Sequence, residues 1–408
     1  MKCQIQEIKP ERVFLITCLI FGIGFAVATP PFQVPDEPDH ILKSVHLSEG
    51  QIIPEKSKVF AALYPPIPYI ASASVMFIGK LLNFSPLDLI YPARLVNLFL
   101  YTLIVYMAIK LIPVHKWVLL LLALMPMTLY EAASLSADSF TIAISFLLIA
   151  VFFKFAFDDE KREMNTQDIF ILFVLGLMIA LSKQIYIILL LLFFRVPVYK
   201  FKNYKKKMFS IFLSISVPLL LVIECWGFLV QGAFVPISDQ ISVQGQILFI
   251  LSNPIVFLET FLNTLFQNTQ YYLVSFVGTF GWLDTRLDTP LPAILVYSYL
   301  IVSFLVSLID NNNFNVNLKQ KLVSFTTFAL SFISIFVLEY IAWNAVGNYI
   351  IEGIYGRYFT PIMPLFFLLF YNKKFKFHSN KLNILIIIFI MIILSISLFM
   401  IIKRFHNV

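Results

Sequence analysis

Apolar residues in this chain gather into long runs parted by short polar stretches. Clear runs occupy residues 13–29, 95–112, 117–135, 139–157, 208–230, 291–309, 322–343, 358–371 and 382–402. About 20 consecutive apolar residues let an α-helix cross the hydrocarbon core of a bilayer. The pattern therefore predicts an all-α polytopic membrane protein, with residues 1–408 forming one transmembrane domain. Two shorter runs, 169–181 and 185–199, flank Ser182-Lys183-Gln184 and read as two crossings joined at a turn. A single span through both would be too long and would bury Lys183 in mid-membrane. Residues 64–82 are apolar but carry Pro65, Pro66 and Pro68, which fits an interfacial or re-entrant helix; 254–282 is interrupted by Asn and Gln. The spans then number about 11.

Charge sets the direction of the crossings. The densest basic stretch, residues 200–207 (KFKNYKKK), and the hydrophilic stretch 158–168 belong on the cytoplasmic side. With Lys2, Lys9 and Arg12 also inside, the N-terminus is cytoplasmic and residues 30–93 form a large first extracytoplasmic loop. Residues 231–290 form a second outer segment. Lys403 and Arg404 fall outside in this scheme, against the rule. The first run lacks a small-residue cleavage site and ends at Thr29-Pro30-Pro31, so it is expected to be a retained span.

Composition excludes several classes. The chain is 60% hydrophobic and only 13% charged, whereas an average soluble domain is about a quarter charged. Its 30 basic residues exceed its 23 acidic ones, for a net charge of +7. The basic residues lie in loops between apolar runs, so they reflect membrane topology, not nucleic-acid binding. Cys3, Cys18 and Cys225 form no paired framework or CxxC spacing, so neither disulfides nor zinc are indicated. No internal repeat is visible, nor the matching broken helices of an inverted-repeat transporter.

Candidate chemistry collects at the outer ends of the spans. Pro35-Asp36-Glu37-Pro38-Asp39-His40 opens a helix with Ile41, Leu42 and Val45 on one side and Gly50 as its stop. Asp36 suits the N-cap and Pro38 the first turn. The same placement fixes a carboxylate rigidly at the membrane surface, where it can deprotonate an acceptor hydroxyl. Glu131 ends the third span and Asp138 opens the fourth, within EAASLSADSF, level with Asp36. Asp138 reads either as a helix cap or as a second acid. As an acid it would share a divalent cation with Asp36 or divide base and orienting roles with it. Lys183, and Arg357 in Gly356-Arg357-Tyr358-Phe359-Thr360-Pro361, read as lipid-headgroup anchors or as a clamp for the phosphate of a lipid-linked substrate. Gly281-Trp282-Leu283-Asp284 with Arg286 reads as a polar surface loop. His40 and His46 lack metal spacing and read as surface residues; Glu224 is either a pathway residue or a packing contact.

Four stretches in order resemble the GT-C glycosyltransferases: PDEPDHILKSVHLSEGQIIPE after the first span, YPPIPY, PARLVNLFLYTL, and LSADSF opening a span. That superfamily includes the lipid A aminoarabinose transferase, the protein O-mannosyltransferases and oligosaccharyltransferase. PDEPDH, ARL, SLSADS, GWLD and GRYFTPIMP are similar to stretches of a bacterial family of uncharacterised multi-span proteins, a domain of unknown function within that superfamily. The resemblance covers most of the chain. It implies a GT-C-like fold, a sugar donor on polyprenyl phosphate, and inverting transfer outside the bacterial cytoplasmic membrane. On this resemblance Asp36 matches the first-loop acid, the base; Glu37 is its neighbour, and Asp138 matches the second acid. Lys183 matches a lysine after the fifth span in some members, whereas Tyr64 precedes Pro65 where some members carry a basic residue. Members differ in metal use; here a magnesium or manganese ion, if used, would fall to Asp36 and Asp138.

The expectation is an integral-membrane glycosyltransferase. Asp36, Glu37 and Asp138 are its catalytic residues, and Lys183 and Arg357 bind phosphate. Its partners are a polyprenyl-phosphate-linked sugar, a cell-envelope glycan or lipid acceptor, and the bilayer. A transporter or flippase for a lipid-linked glycan would place polar residues through the middle of the spans, whereas here they gather at the outer ends. A polysaccharide polymerase or ligase is chemically close and differs mainly in donor length.

Overall fold

In hydrocarbon a chain must satisfy its own backbone hydrogen bonds, and a helix does so within one segment. The computed structural model follows that rule almost throughout. It describes residues 8–54, 56, 60–157, 163–202, 204–233, 235, 238–287, 294–310, 314–372 and 380–406. The first half carries α1 (Pro10–Ala28), α2 (Glu37–Ser48), α3 (Ile70–Leu81), α4 (Ile90–Leu111), α5 (Lys116–Ala123), α6 (Pro126–Ala132), α7 (Ala137–Phe157) and α8 (Thr166–Ala180). The second half carries α9 (Lys205–Val230), α10 (Val243–Ser252), α11 (Pro254–Val277), α12 (Ile294–Ile309), α13 (Leu318–Trp343), α14 (Met363–Leu368) and α15 (Asn380–His406). Strands β1 (Thr279–Phe280) and β2 (Thr285–Arg286) pair as one antiparallel hairpin.

Among the described residues, α1, α4, α7, α9, α13 and α15 are long and apolar enough to cross a membrane. Helices α10 and α11 form a further apolar pair, bent by 106°. Shorter apolar elements, α8, α12 and the 3-10 stretch Gln184–Arg195, accompany them. The protein is thus a mostly helical, polytopic membrane protein. Helix α7 is apolar on every side and almost wholly buried, so it is the axis of the bundle. Helices α4, α6 and α8 and the stretch Gln184–Arg195 pack around it.

Several runs fold differently from their sequence pattern. Run 117–135 breaks into α5 and α6, because Pro126 has no amide hydrogen and sets Met125 in an extended conformation (ψ 134°). Run 185–199 becomes 3-10 helix over 12 residues. At about 2.0 Å per residue it reaches about 24 Å, where an α-helix would reach about 18 Å. Run 358–371 likewise combines 3-10 helix, Gly356–Ile362, with α14. Residues 64–82 hold the 3-10 turn Ile67–Tyr69 and α3, which packs between α2 and α4. In α2 the buried residues are Glu37, His40, Ile41, Lys43 and Ser44, whereas Leu42 points outward, contrary to expectation. Gly50 does stop that helix, at φ +84°.

The bundle has two chemically distinct ends. Asp138 opens α7, and Lys200 donates to the Phe155 carbonyl (2.8 Å) at its far end. The basic stretch therefore lies about 26 Å from Asp138 along the helix. The end of α15 returns to the Asp138 end: His406 hydrogen-bonds the Ala28 carbonyl and Arg404 pairs with Asp284. Cys18 is buried 3.3 Å from the Thr102 hydroxyl and Cys225 is exposed; Cys3 lies outside the described residues.

Candidate active site

The first loop is pinned by a residue whose role the sequence did not reveal. Arg94, near the start of α4, is fully buried and uses its whole fork of donors. Its Nε and Nη2 meet the two Glu37 carboxylate oxygens at 2.7 and 2.5 Å. Nη1 donates to the carbonyls of Ala26 (3.0 Å) and Thr29 (2.5 Å), and Nη2 also donates to Pro30 (3.0 Å). Glu37 also accepts from the Phe32 amide at 3.1 Å. A planar, always-charged guanidinium suits this bidentate task. Glu37 is thus enclosed, with no exposed side chain, and holds the end of α1 to the start of α2.

That clamp sets the backbone of Asp36. The residue occupies the N-cap position of α2, yet it sits in left-handed space (φ 60°, ψ 6°) and its side chain makes no cap bond. Asp36 thus holds the cap position without the expected side-chain cap. The carboxylate is half exposed and turns to Arg357, whose Nη2 donates to Oδ2 at 3.3 Å.

Arg357 gathers the acids. Its Nε lies 3.3 Å from Asp138 Oδ2 and 3.6 Å from Glu131 Oε1. The guanidinium is 4% exposed, so these three carboxylates are its charge partners in a dry setting; its Nη1 is buried without a hydrogen-bond partner. The ring of Tyr355 lies 4.8 Å from the guanidinium carbon and that of Tyr358 lies 5.4 Å away. Gly356 makes this placement possible, because a Cβ there would strike the backbone of Tyr272 and Phe276. Its amide donates to the Ser275 hydroxyl at 2.9 Å.

Asp138 also pairs with Lys183. The lysine rests over the rings of Tyr358 (4.8 Å) and Tyr64 (5.4 Å), so the tyrosine before Pro65 borders a cation supplied by another loop. Serines shape the turn before α7: Ser136 Oγ accepts from the Asp138 amide (3.1 Å), and Ser134 Oγ accepts from the Ser136 amide (3.0 Å). Ser182 and Thr141 hydroxyls, 2.6 Å apart, tie the Lys183 turn to α7.

The site residues Asp36, Asp138, Lys183 and Arg357 therefore converge with Glu131, while Glu37 stands behind them. The guanidinium occupies the space between Asp36 and Asp138 that a shared divalent cation would need. Among the described residues no three His, Cys, Asp or Glu side chains gather closely enough to hold a metal. His40 departs from the surface position expected of it: it is buried, and its Nδ1 lies 2.8 Å from the Tyr69 hydroxyl. Burial pushes its imidazole down to about 4, so it is neutral near pH 7. The Asp284 loop joins the α15 end, and Glu224 is exposed on α9.

Beside the cluster opens a cavity of about 350 Å³ between α9, α13 and the Lys183 turn. Trp226, Val230, Ile335, Leu338 and Trp343 form part of its apolar wall, while Lys183, Gln184, Tyr358 and Glu339 give it a polar end. Glu339 belongs to no motif, but an ionisable residue inside an apolar run is by default a functional candidate.

Fold and site together define a membrane-embedded helical protein with an ion-paired cluster at one end of its bundle. The chain belongs to the family described as "Predicted membrane protein (DUF2142)", whose model matches residues 56–366. That range includes Arg94, Glu131, Asp138, Lys183, Glu339 and Arg357, and leaves Asp36 just outside it. No curated protein and no solved structure matches the chain.

Proposed function

We propose that this protein is a membrane-embedded, GT-C-type glycosyltransferase that moves a sugar from a polyprenyl-phosphate donor to a hydroxyl of a cell-envelope glycan or lipid. The observation that carries the proposal is that Lys183, which pairs with Asp138 in the cluster of Asp36, Asp138 and Arg357, also lines the apolar cavity. A prenyl chain fits the apolar wall, and the two cations suit an anionic phosphate. Asp36 is the half-exposed carboxylate in that cluster, available to an acceptor arriving from solvent.

In the proposed reaction Asp36 takes the proton of the acceptor hydroxyl. The acceptor oxygen forms a bond to the anomeric carbon as the bond from that carbon to the phosphate oxygen breaks. Polyprenyl phosphate leaves with the electron pair. Arg357 and Lys183 offset the charge that grows on the leaving group, and the free Nη1 of Arg357 supplies a donor for it. Because a phosphate leaves readily, orientation and charge stabilisation supply most of the catalysis. The basic stretch at the far end of α7 supports a cytoplasmic assignment for that end, which puts the reaction on the outer face of a bacterial cytoplasmic membrane.

The confined placement of the cluster at one bundle end favours transfer over transport. Reconstitution in liposomes with polyprenyl-phosphate sugars and an envelope extract tests the proposal. Release of polyprenyl phosphate that depends on the extract supports it. Movement of intact donor across the bilayer with no release would favour a flippase.

A further inference from the structure

Glu339 presents a polar group that a lipid chain cannot satisfy. It lies near the end of α13 and lines the cavity at its polar end. Lys183, the cation at that end, is already paired with Asp138. Among the described residues the Glu339 carboxylate has no ion-pair or hydrogen-bond partner. The turn at Gly353 (φ +86°) closes on it: a Cβ there would lie 3.3 Å from Glu339 Oε2 and 2.8 Å from Trp343 Cδ1. The carboxylate is therefore held facing a mostly apolar space, where an unpaired polar group is costly.

An ionised carboxylate only accepts hydrogen bonds. A deprotonated phosphate donates none and repels it, and a prenyl chain has nothing to donate. A ligand that fills this cavity and brings O–H groups would satisfy Glu339, because hydroxyls donate hydrogen bonds. Gln184 supplies the complementary group, since its Nε2 is buried without a partner and needs an acceptor. Hydroxyls both donate and accept, so a polyhydroxylated head group meets both residues.

We propose that Glu339 is a specificity-determining residue that accepts hydrogen bonds from the hydroxyls of the donor's sugar, beside the phosphate held at Lys183. This rests on the lipid-phosphate glycosyl-transfer reading and adds to it the residue that tells glycosylated from bare lipid phosphate. The test is binding to the full-length protein in nanodiscs, measured by thermophoresis. The probes are polyprenyl phosphate and its glucose, mannose and arabinose esters. Wild type should bind at least one ester about tenfold more tightly than the bare phosphate. Glu339→Leu should erase that gain without weakening binding of the bare phosphate. Should Glu339→Leu fail to fold, the near-isosteric Glu339→Gln carries the test, with most of the gain lost. Retention of the gain in both variants overturns the inference. If wild type binds every probe alike and Lys183→Met loosens all of them, Glu339's role is overturned while the lipid-phosphate reading stands. Binding of no probe overturns both.

Discussion

Arg94 and Glu37 give the most quantifiable consequence of the structure. Arg94→Met would leave the Glu37 carboxylate buried with only the Phe32 amide beside it, and would strip a donor from three carbonyls. Removing one partner of a buried ion pair costs about 3–5 kcal/mol. Arg94→Met should therefore lose about that much. Arg94→Lys should lose an intermediate amount, because one ammonium cannot cover two carboxylate oxygens and three carbonyls. Glu37→Met should be similarly harmful alone. The double variant should fall short of the summed losses by at least about 1 kcal/mol, since the second change removes an already orphaned charge. Reversible SDS unfolding in mixed micelles, followed by tryptophan fluorescence, measures these differences. A Glu37→Gln protein as stable as wild type but without turnover would refute the reasoning and return Glu37 to direct chemistry.

Two further predictions concern the cluster and the loop above it. Arg357→Lys keeps a charge but cannot reach three carboxylates and a phosphate together, so turnover should fall about tenfold or more. Arg286→Lys should change it little, and equal small effects would make Arg357 a headgroup anchor. His40 has a folded pKa of about 4, below its ordinary 6.5, so between those values the unfolded chain binds more protons. Stability should be fully present above pH 6.5 and fall as pH drops towards 4, by up to about 1.4 kcal/mol per pH unit. His40→Gln should flatten that slope, and an unchanged slope would place its origin elsewhere.

The helical membrane architecture was legible because apolar run length reports directly on burial in hydrocarbon. What the runs concealed was how each helix is built. Pro126 divides one run, and the 3-10 geometry of Gln184–Arg195 leaves no mark on periodicity. In the site, Asp36, Asp138, Lys183 and Arg357 were readable as charges at span ends. Their convergence was not, because Asp36 and Arg357 are 321 positions apart and meet only through packing. Glu37 adjoins Asp36 in sequence, but the two side chains diverge, one buried against Arg94 and the other turned to Arg357. Arg94 lies just before one apolar run and Glu339 inside another, and a charge at either place is expensive to bury.

The central claim is that Asp36 accepts the proton in glycosyl transfer, and Asp36→Asn tests it most directly. Asn tolerates left-handed backbone as Asp does, no side-chain cap bond is lost, and the half-exposed pair with Arg357 is worth at most about 1 kcal/mol, so the fold should be unchanged and stability nearly so. An amide cannot take the proton, so release of polyprenyl phosphate from a reconstituted donor should fall about 10²–10⁴-fold. An Asp36→Asn protein of normal stability that releases polyprenyl phosphate at close to the wild-type rate would contradict the account.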